Sequence, residues 1–230
     1  MSDLVSFEVR DEVAIIRIQN GKVNALSPAV VEALLECLPR AEAEAKGVII
    51  TGTPGRFSAG FDLTVLMSGP EAAKALFHAG AELFLRVYAH PQPVVAAVSG
   101  HALAGGLLLA ASCDLRLGAA GSFKLGLNEV AAGLPVPILA HELARDRLDP
   151  RHLSESVLCA RIYSPSEAAE VGWLDEVVDA EALETVAMTR AKKLCSLPRD
   201  PFRRTKLSLR KRTIDHIRAT LDENIGGLGG

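Results

Sequence analysis

The stretch SGHALAGGLLLAAS, residues 99–112, places two adjacent glycines at the start of an apolar, helix-forming run. It follows PVVAAV, residues 93–98, a short apolar run typical of a strand buried on both faces. Gly105 and Gly106 therefore lie where a buried strand leads into a helix. Because glycine has no Cβ, they allow either close packing of backbone against backbone or close approach of a ligand to the helix N–H groups.

A second transition from a buried strand into glycine occurs in VIITGTPGRFSAGFDL, residues 48–63. Helix N-termini carry unpaired N–H groups and a partial positive charge. Two such turns side by side can aim two N–H donors at one oxygen, which is the geometry of an oxyanion hole. Neither strand is followed by a phosphate-binding GxxxxGK[ST] or GxGxxG motif, and no GxSxG motif supports a serine nucleophile.

The composition favours a globular protein without a polyanionic partner. The chain has 230 residues, of which 49% are hydrophobic, and a net charge of -3. One large domain, or a domain with an appendage, fits this length. The charge gives no general attraction to nucleic acid or anionic membranes. No apolar run reaches the roughly 18 residues of a membrane span, and the first residues lack a signal-peptide pattern. We therefore expect a cytoplasmic protein that binds neither nucleic acid nor membrane.

The order of predicted elements indicates an α/β protein, because strands alternate with helices. Helix starts are marked by Ser27-Pro28 and by the capping box Ser164–Glu167. The other predicted elements are a strand hairpin at 7–20, a buried strand at 47–52, a helix at 70–89 and an amphipathic helical tail at about 181–221.

The tail is basic. Between Arg199 and Arg218 the chain has eight lysines and arginines against two aspartates. This pattern is typical of a solvated helix face, and it also suits a helical arm that contacts another subunit or an anionic ligand. The sequence leaves both interpretations open. The four cysteines are far apart, so we expect reduced thiols and neither a disulfide framework nor a zinc site.

Five stretches resemble, in order and spacing, the crotonase family of enoyl-CoA hydratases and isomerases. They are NALS (24–27), FSAGFDL (57–63), SGHALAGGLLLAASCDLRLG (99–118), FKLGLNEVAAGL (123–134) and YSPSEAAEVGWLDEVV (163–178). The resemblance implies a crotonase-type α/β spiral of ββα units over residues 1–195, with an acyl-CoA site. It also implies a helical region at 196–230 that packs trimers, often doubled to hexamers. Coenzyme A would be part of the substrate, with no separate cofactor.

The resemblance also assigns catalytic roles. The backbone N–H groups of Phe61 and Gly105 would form the oxyanion hole, and the GGG-like triplet of the family reads Ala104-Gly105-Gly106 here. Glu129 matches one catalytic glutamate of the family's hydratases. Leu108 stands where those hydratases have the other. Without the resemblance, Glu129 would be interpreted as a loop carboxylate in a salt bridge.

Further residues are implied to contact the substrate. They are Lys22, Ala25, Ala59, Asp62, Leu63, Gly106 and Leu108. Of these, Asp62 is better suited to fixing the loop by hydrogen bonds to backbone amides. The phosphates of coenzyme A could be bound by Lys22, by Arg56 or by Lys206 and its neighbours.

The replacement at Leu108 favours an isomerase, because leucine can neither take a proton nor orient a water molecule. One carboxylate is enough to carry a proton between two carbons and shift a double bond from the 3 to the 2 position. The alternatives are an enoyl-CoA hydratase and a non-catalytic acyl-CoA-binding protein. A hydratase would need a second acid, for which the segment with His141, Glu142 and Asp146 is the candidate.

The remaining histidines do not indicate catalysis. His101 follows a strand directly, and we expect it to be structural. The others, His78, His90, His152 and His216, show no metal-ligand spacing together with carboxylates, so we predict no metal site.

Overall fold

The computed structural model describes residues 3–226, with side chains as far as residue 221. The strands are β1 Val5–Arg10, β2 Val13–Ile18, β3 Gly47–Thr51, β4 Gly55–Ser58, β5 Val94–Val98, β6 Gly100–Leu103, β7 Leu115–Ala119, β8 Leu125–Gly126 and β9 Glu176–Val178. The helices are α1 Pro28–Glu44, α2 Leu63–Leu66, α3 Pro70–Tyr88, α4 Gly105–Ser112, α5 Ile138–Arg145, α6 Leu153–Val157, α7 Pro165–Val171, α8 Leu183–Cys195 and α9 Arg199–Gly226, with 3₁₀ turns at Val130–Ala132 and Pro150–His152. In this part of the chain no helix is both long and apolar enough to cross a membrane.

Two sheets organise the fold. The larger has the order β1-β2-β3-β5-β7-β9, in which β1 and β2 form the predicted antiparallel hairpin and the remaining pairs are parallel. The smaller sheet is parallel and has the order β4-β6-β8. The pairs β3–β4, β5–β6 and β7–β8 each contribute one strand to each sheet and lead into helices. This repetition confirms the expected spiral of ββα units.

The centre of the larger sheet is buried on both faces, as parallel strands commonly are. Every residue of β3 and β5 is buried. Ile49 and Val95 face α8, where Leu183 and Ala187 complete a small apolar cluster. The opposite face packs into the main core with α1, α3 and α4. The sheet is thus the middle layer between the helices.

The local start signals read from the sequence are confirmed. The Ser27 hydroxyl accepts from the Val30 N–H at 3.4 Å, and Pro28 is the first residue of α1. At α7 the Ser164 and Glu167 side chains each accept from the other residue's backbone N–H, which is a capping box. The four cysteines are free thiols.

Six of the eight cations of the basic tail are exposed, as the solvated-face interpretation expects, and the other two are buried. Two of its cations point into the protein and meet one carboxylate: Lys206 Nζ lies 2.6 Å from Asp114 Oδ2, and Arg210 Nη2 lies 3.0 Å from Asp114 Oδ1. Lys206 is only 6% exposed, and burial lowers its pKa to about 8. The suggestion that Lys206 binds a phosphate of the ligand is therefore wrong, because its ammonium group is already paired inside this chain.

The C-terminal helix α9 packs against the core of the spiral. The predicted helical tail divides into α8 and α9, which residues 196–198 separate. Ile214 and Ile217 of α9 belong to the main hydrophobic cluster of the spiral. Residues 227–230 of the predicted C-terminal region lie outside the described residues.

Candidate active site

A cavity of about 150 Å³ opens beside the N-terminus of α4. The predicted residues Ala59, Phe61, Leu63, Gly105, Leu108 and Glu129 all line it. Side chains that the sequence did not point to complete its apolar wall, namely Leu66, Phe77, Phe84, Leu139, Ile217 and Leu221. The fold therefore brings together the loops after β4 and β8, the start of α4, and one face each of α3 and α9.

The loop after β4 touches the start of α4. Gly60 has a φ of +91°, and a Cβ there would lie 3.0 Å from Gly105 N. The loop is held on both sides of Phe61, because Leu26 N donates to Gly60 O at 2.8 Å and Asp62 N donates to Leu26 O at 3.3 Å. Within residues 3–226, neither the Phe61 N–H nor the Gly105 N–H donates to a backbone acceptor. Two residues with backbone N–H groups that lack a backbone acceptor thus line the same cavity.

The two adjacent glycines have different roles. A Cβ on Gly105 would lie 3.5 Å from the Phe61 ring, an ordinary contact, so packing does not demand glycine there. A Cβ on Gly106 would lie 2.2 Å from Ser58 O, so only glycine lets α4 pack this closely on β4. Gly106 is buried and does not line the cavity, which corrects its assignment as a substrate contact.

Ala104, immediately before the donor Gly105, has a strained backbone. Its φ of +47° and ψ of -126° lie in a region that glycine adopts readily and alanine does not. Sparsely populated backbone conformations of this kind cost about 1–3 kcal/mol for a residue with a Cβ. Residues held in this way tend to occur at functional sites, where the surrounding structure enforces them. The alanine that replaces the first glycine of the triplet is thus kept at a measurable energetic cost.

Arg147 holds the other end of α4. Its Nε donates to Ala111 O and its Nη2 to Cys113 O, both at 2.7 Å. Burial and two neighbouring arginines lower the pKa of Arg147 to about 10. A cation at a helix C-terminus binds the free carbonyls and complements the helix dipole. Both ends of the helix that carries Gly105 are therefore fixed, and nothing in the sequence pattern pointed to Arg147.

Glu129 follows β8 and precedes the 3₁₀ turn Val130–Ala132. Its Oε2 is buried without a hydrogen-bond partner, and no cation among residues 3–226 forms an ion pair with it. Burial raises the pKa of Glu129 above its ordinary value, because the carboxylate loses water and gains no compensating charge. A carboxyl group with a raised pKa and no fixed partner suits a role in which it takes and returns a proton.

Two other residues of the cavity lining bear on the chemistry of Glu129. Leu108 lines the cavity one turn along α4 from the donor Gly105 and is 4% exposed. Asn128 also lines the cavity, and its Oδ1 is buried without a partner. The sequence reasoning missed Asn128, although it stands directly before Glu129 in the GLNE string. The cavity thus has two polar side chains with free acceptor atoms against an apolar wall.

Asp62 and His101 have structural hydrogen bonds. Asp62 Oδ1 accepts from Thr64 N at 2.9 Å and caps α2, which is the expected loop-fixing contact. Asp62 does not line the cavity. His101 Nδ1 accepts from Lys124 N at 3.0 Å, in line with its expected structural role.

The remaining candidate contacts lie just outside the cavity. Arg56 Nη1 donates to Lys22 O at 2.8 Å, and both residues are exposed beside the Phe61 loop, where Ala59 N donates to Val23 O at 3.0 Å. Ala25 accepts a hydrogen bond on its carbonyl from Asn20 and does not line the cavity. These positions are compatible with the predicted contacts of Lys22 and Arg56 with phosphates.

The proposed source of a second acid is not at the site. His141, Glu142 and Asp146 do not line the cavity. Asp146 accepts from Thr213 Oγ1 at 2.7 Å and from the Tyr88 hydroxyl, and Glu142 lies 3.4 Å from Arg145. Among the described residues that line the cavity, Glu129 is the single carboxylate. No cluster of three or more potential metal ligands occurs within residues 3–226.

Comparison with known proteins gives a consistent result. The sequence model of a family described as "Enoyl-CoA hydratase/isomerase" matches residues 8–226. Human mitochondrial enoyl-CoA delta isomerase 1 is 30% identical over 218 residues, which cover 93% of this chain and 72% of the human protein. A probable enoyl-CoA hydratase from Bacillus subtilis strain 168 is 40% identical over 134 residues, which cover 56% of this chain and 52% of that protein. The crystal structure of an enoyl-CoA hydratase/isomerase family protein from Pseudomonas syringae superposes with a TM-score of 0.96 at 40% identity and covers 98% of each chain.

Proposed function

Because this chain belongs to the enoyl-CoA hydratase/isomerase (crotonase) family and is an enzyme, we propose that it shifts the double bond of an enoyl-CoA from the 3 to the 2 position. The observation that carries the proposal is a cavity with one carboxylate, Glu129, set against Leu108 and two unpaired N–H donors. Human enoyl-CoA delta isomerase 1, similar over most of the chain, is named for this kind of reaction.

The proposed reaction needs one base and one oxyanion hole. The Glu129 carboxylate removes a proton from C2 of a 3-enoyl-CoA, and the C–H electron pair delocalises onto the thioester oxygen. The N–H groups of Phe61 and Gly105 stabilise that oxygen while it carries the charge. Protonated Glu129 then returns the proton to C4, and the double bond is left between C2 and C3. No atoms are gained or lost, and no cofactor beyond the coenzyme A moiety of the substrate takes part.

Hydration of a 2-enoyl-CoA is the second candidate, supported by the similarity to the probable hydratase of Bacillus subtilis. Adding water requires a place for the water and a second group to handle its proton. Leu108 fills the position expected for that group with an apolar side chain, and the acids of the 141–146 segment lie elsewhere. The site therefore supports proton transfer better than hydration.

The reaction is tested by product mass. With a 3-enoyl-CoA, we expect the unmodified protein to form a 2-enoyl-CoA of the same mass, and with a 2-enoyl-CoA to form little or no hydrated product. Leu108→Glu introduces a second acid, and positioned acids and bases contribute about 10²–10⁴-fold to such steps. We therefore expect the ratio of hydration to isomerisation to rise at least about tenfold in this variant.

Leu108→Gln is the matched control, because glutamine is polar and of similar size but cannot transfer a proton. If two carboxylates share one proton in Leu108→Glu, both activities fall in that variant and not in the control. Efficient hydration by the unmodified protein would contradict the proposal and would indicate a second acid that reaches the cavity.

The tail also supports the expected assembly, which we propose to be a homotrimer, either alone or doubled to a hexamer. Leu197 and Leu209 are 48% and 81% exposed, and both line a surface groove at the α8–α9 junction together with Phe202. A second copy of the chain that covered this groove would remove these apolar side chains from water. Light scattering at micromolar concentration should give the mass of a trimer or its double, and a monomer mass would exclude this assembly.

A further inference from the structure

Gly80 lies in the interior of α3, where glycine stabilises a helix less than alanine does. The reason for it is a side chain from another element. A Cβ on Gly80 would lie 2.2 Å from Cζ and 2.4 Å from Cε1 of Phe61. Gly80 is thus a notch in α3 that receives the ring of Phe61.

The ring is held in this notch from both sides. Its centroid lies 5.3 Å from that of Phe77, edge to face, and 5.9 Å from that of Phe84. Phe77, Ala81 and Phe84 line the cavity on the same face of α3, whereas Gly80 between them does not. The ring therefore closes the cavity at the one place where α3 has no side chain.

From these contacts we infer that the Phe61 ring, seated on Gly80, limits the length of the acyl chain that the cavity accepts. The inference rests on the proposed acyl-CoA substrate. The same residue supplies one oxyanion donor, and the ring lies beside the other donor, within 3.5 Å of an ideal Cβ on Gly105. An acyl chain whose thioester oxygen binds at these donors therefore meets the ring before it can reach α3.

Substitutions on the two sides of this contact should change the length of the accepted acyl chain in opposite directions. Phe61→Ala removes the ring, keeps the N–H donor and opens the space between Phe77 and Phe84 down to Gly80. In Gly80→Ala the new Cβ lies 2.2 Å from Phe61 Cζ, so the ring must move by about 1.2–1.8 Å to reach an ordinary contact of 3.4–4 Å, and we expect it to move into the cavity. The first variant should thus accept longer chains, and the second should be restricted to shorter ones.

The test measures affinities for butanoyl-, octanoyl- and dodecanoyl-CoA by calorimetry. These thioesters are saturated, so they can be neither isomerised nor hydrated, and binding alone is measured. One methylene in a shaped apolar pocket changes discrimination by about 10–200-fold. We expect the ratio of dodecanoyl to butanoyl affinity to rise at least about tenfold in Phe61→Ala and to fall about as much in Gly80→Ala.

The double variant is the control for direct contact. Without the ring, an alanine at position 80 has room, so Gly80→Ala should no longer change the affinity ratio and should raise the melting temperature. If Phe61→Ala does not fold, Phe61→Leu is used in its place.

The inference is overturned if both single variants keep the affinity ratio within about twofold of the unmodified protein, or if their effects add independently in the double variant. If the unmodified protein binds none of the three thioesters, the inference and the acyl-CoA proposal both fail. If the chain-length shifts are seen but no double bond moves in a 3-enoyl-CoA, only the proposed reaction fails.

Discussion

Glu129→Gln is expected to lower turnover of a 3-enoyl-CoA by about 10²–10⁴-fold, the usual contribution of a positioned acid or base. Glutamine has the same shape and cannot carry the proton. The fold and the affinity for a saturated acyl-CoA should persist, because Glu129 Oε2 has no partner to lose. The melting temperature should not fall, since a buried carboxylate without a partner destabilises the folded state. Turnover, calorimetric affinity and thermal unfolding together separate loss of chemistry from loss of structure.

The pH dependence has a definite sign. As a base, Glu129 must be ionised, so kcat/KM should fall as the pH decreases through its raised pKa. Folding raises the pKa of Glu129, so its effect on the free energy of unfolding depends on pH. Below the ordinary pKa the carboxyl group is protonated in both states and the folded protein keeps its full stability. As the pH rises from the ordinary pKa through the raised value, ionisation favours the unfolded state and this stability is lost. The stability of Glu129→Gln relative to the unmodified protein should therefore increase over that interval.

The matched control is Glu142→Gln. Glu142 lies on α5, three residues after Leu139, which lines the cavity. Glu142 itself does not line it. Turnover of this variant should stay close to that of the unmodified protein. Near-normal turnover of Glu129→Gln, or equal losses in the two variants, would remove Glu129 from the mechanism.

Gly105→Pro is expected to lower turnover by about 10²–10³-fold, which corresponds to about 2.7–4 kcal/mol for the loss of one oxyanion donor. Proline has no N–H group, and the first position of a helix is where it is best tolerated. Gly105 is the first residue of α4 and has no positive φ, so the backbone there does not require glycine. The loss should be larger in kcat than in the affinity for a saturated acyl-CoA, because the thioester oxygen carries more charge in the transition state than in the bound ground state.

Gly105→Ala controls for the added side chain. It keeps the N–H, and its Cβ makes an ordinary 3.5 Å contact with the Phe61 ring. We expect its turnover to exceed that of the proline variant at least about tenfold, because only the proline variant loses the donor. Equal turnover in the two variants would show that the N–H of Gly105 does not stabilise the reaction.

The parts of the fold that follow local rules could be predicted from the sequence. The hairpin, the fully buried strands and the capped helix starts depend on patterns within a few residues, and the structure has all of them. Ser27 and Ser164 are examples, because an N-cap needs only its own hydroxyl and the next turn of backbone. The positions of Phe61, Gly105 and Glu129 in one cavity came from the family resemblance, since no local pattern brings three such distant segments together.

What the sequence did not reveal depends on contacts between distant segments. Lys206 looked like a surface cation, because its partner Asp114 stands 92 positions earlier in the chain. No sequence pattern singled out Gly80, because the ring that requires a glycine there belongs to Phe61 on another element. Arg147 likewise acts on carbonyls at the end of α4. The role of such a residue cannot be predicted from the sequence around it, because that role depends on a partner elsewhere in the chain.

The pairing of Asp114 with Lys206 and Arg210 has a consequence for synthesis of the chain on the ribosome. Lys206 stands 92 positions after Asp114 in the chain, and Arg210 lies further along α9, so both cations are made long after the carboxylate. A buried carboxylate without its partner costs about 3–5 kcal/mol, a large part of the stability of an ordinary domain. Ile217, which closes the cavity, arrives later still. A nascent chain that ends before α9 therefore leaves Asp114 without either cation and lacks Ile217 of the cavity wall, so the complete cavity can form only after α9 has been made.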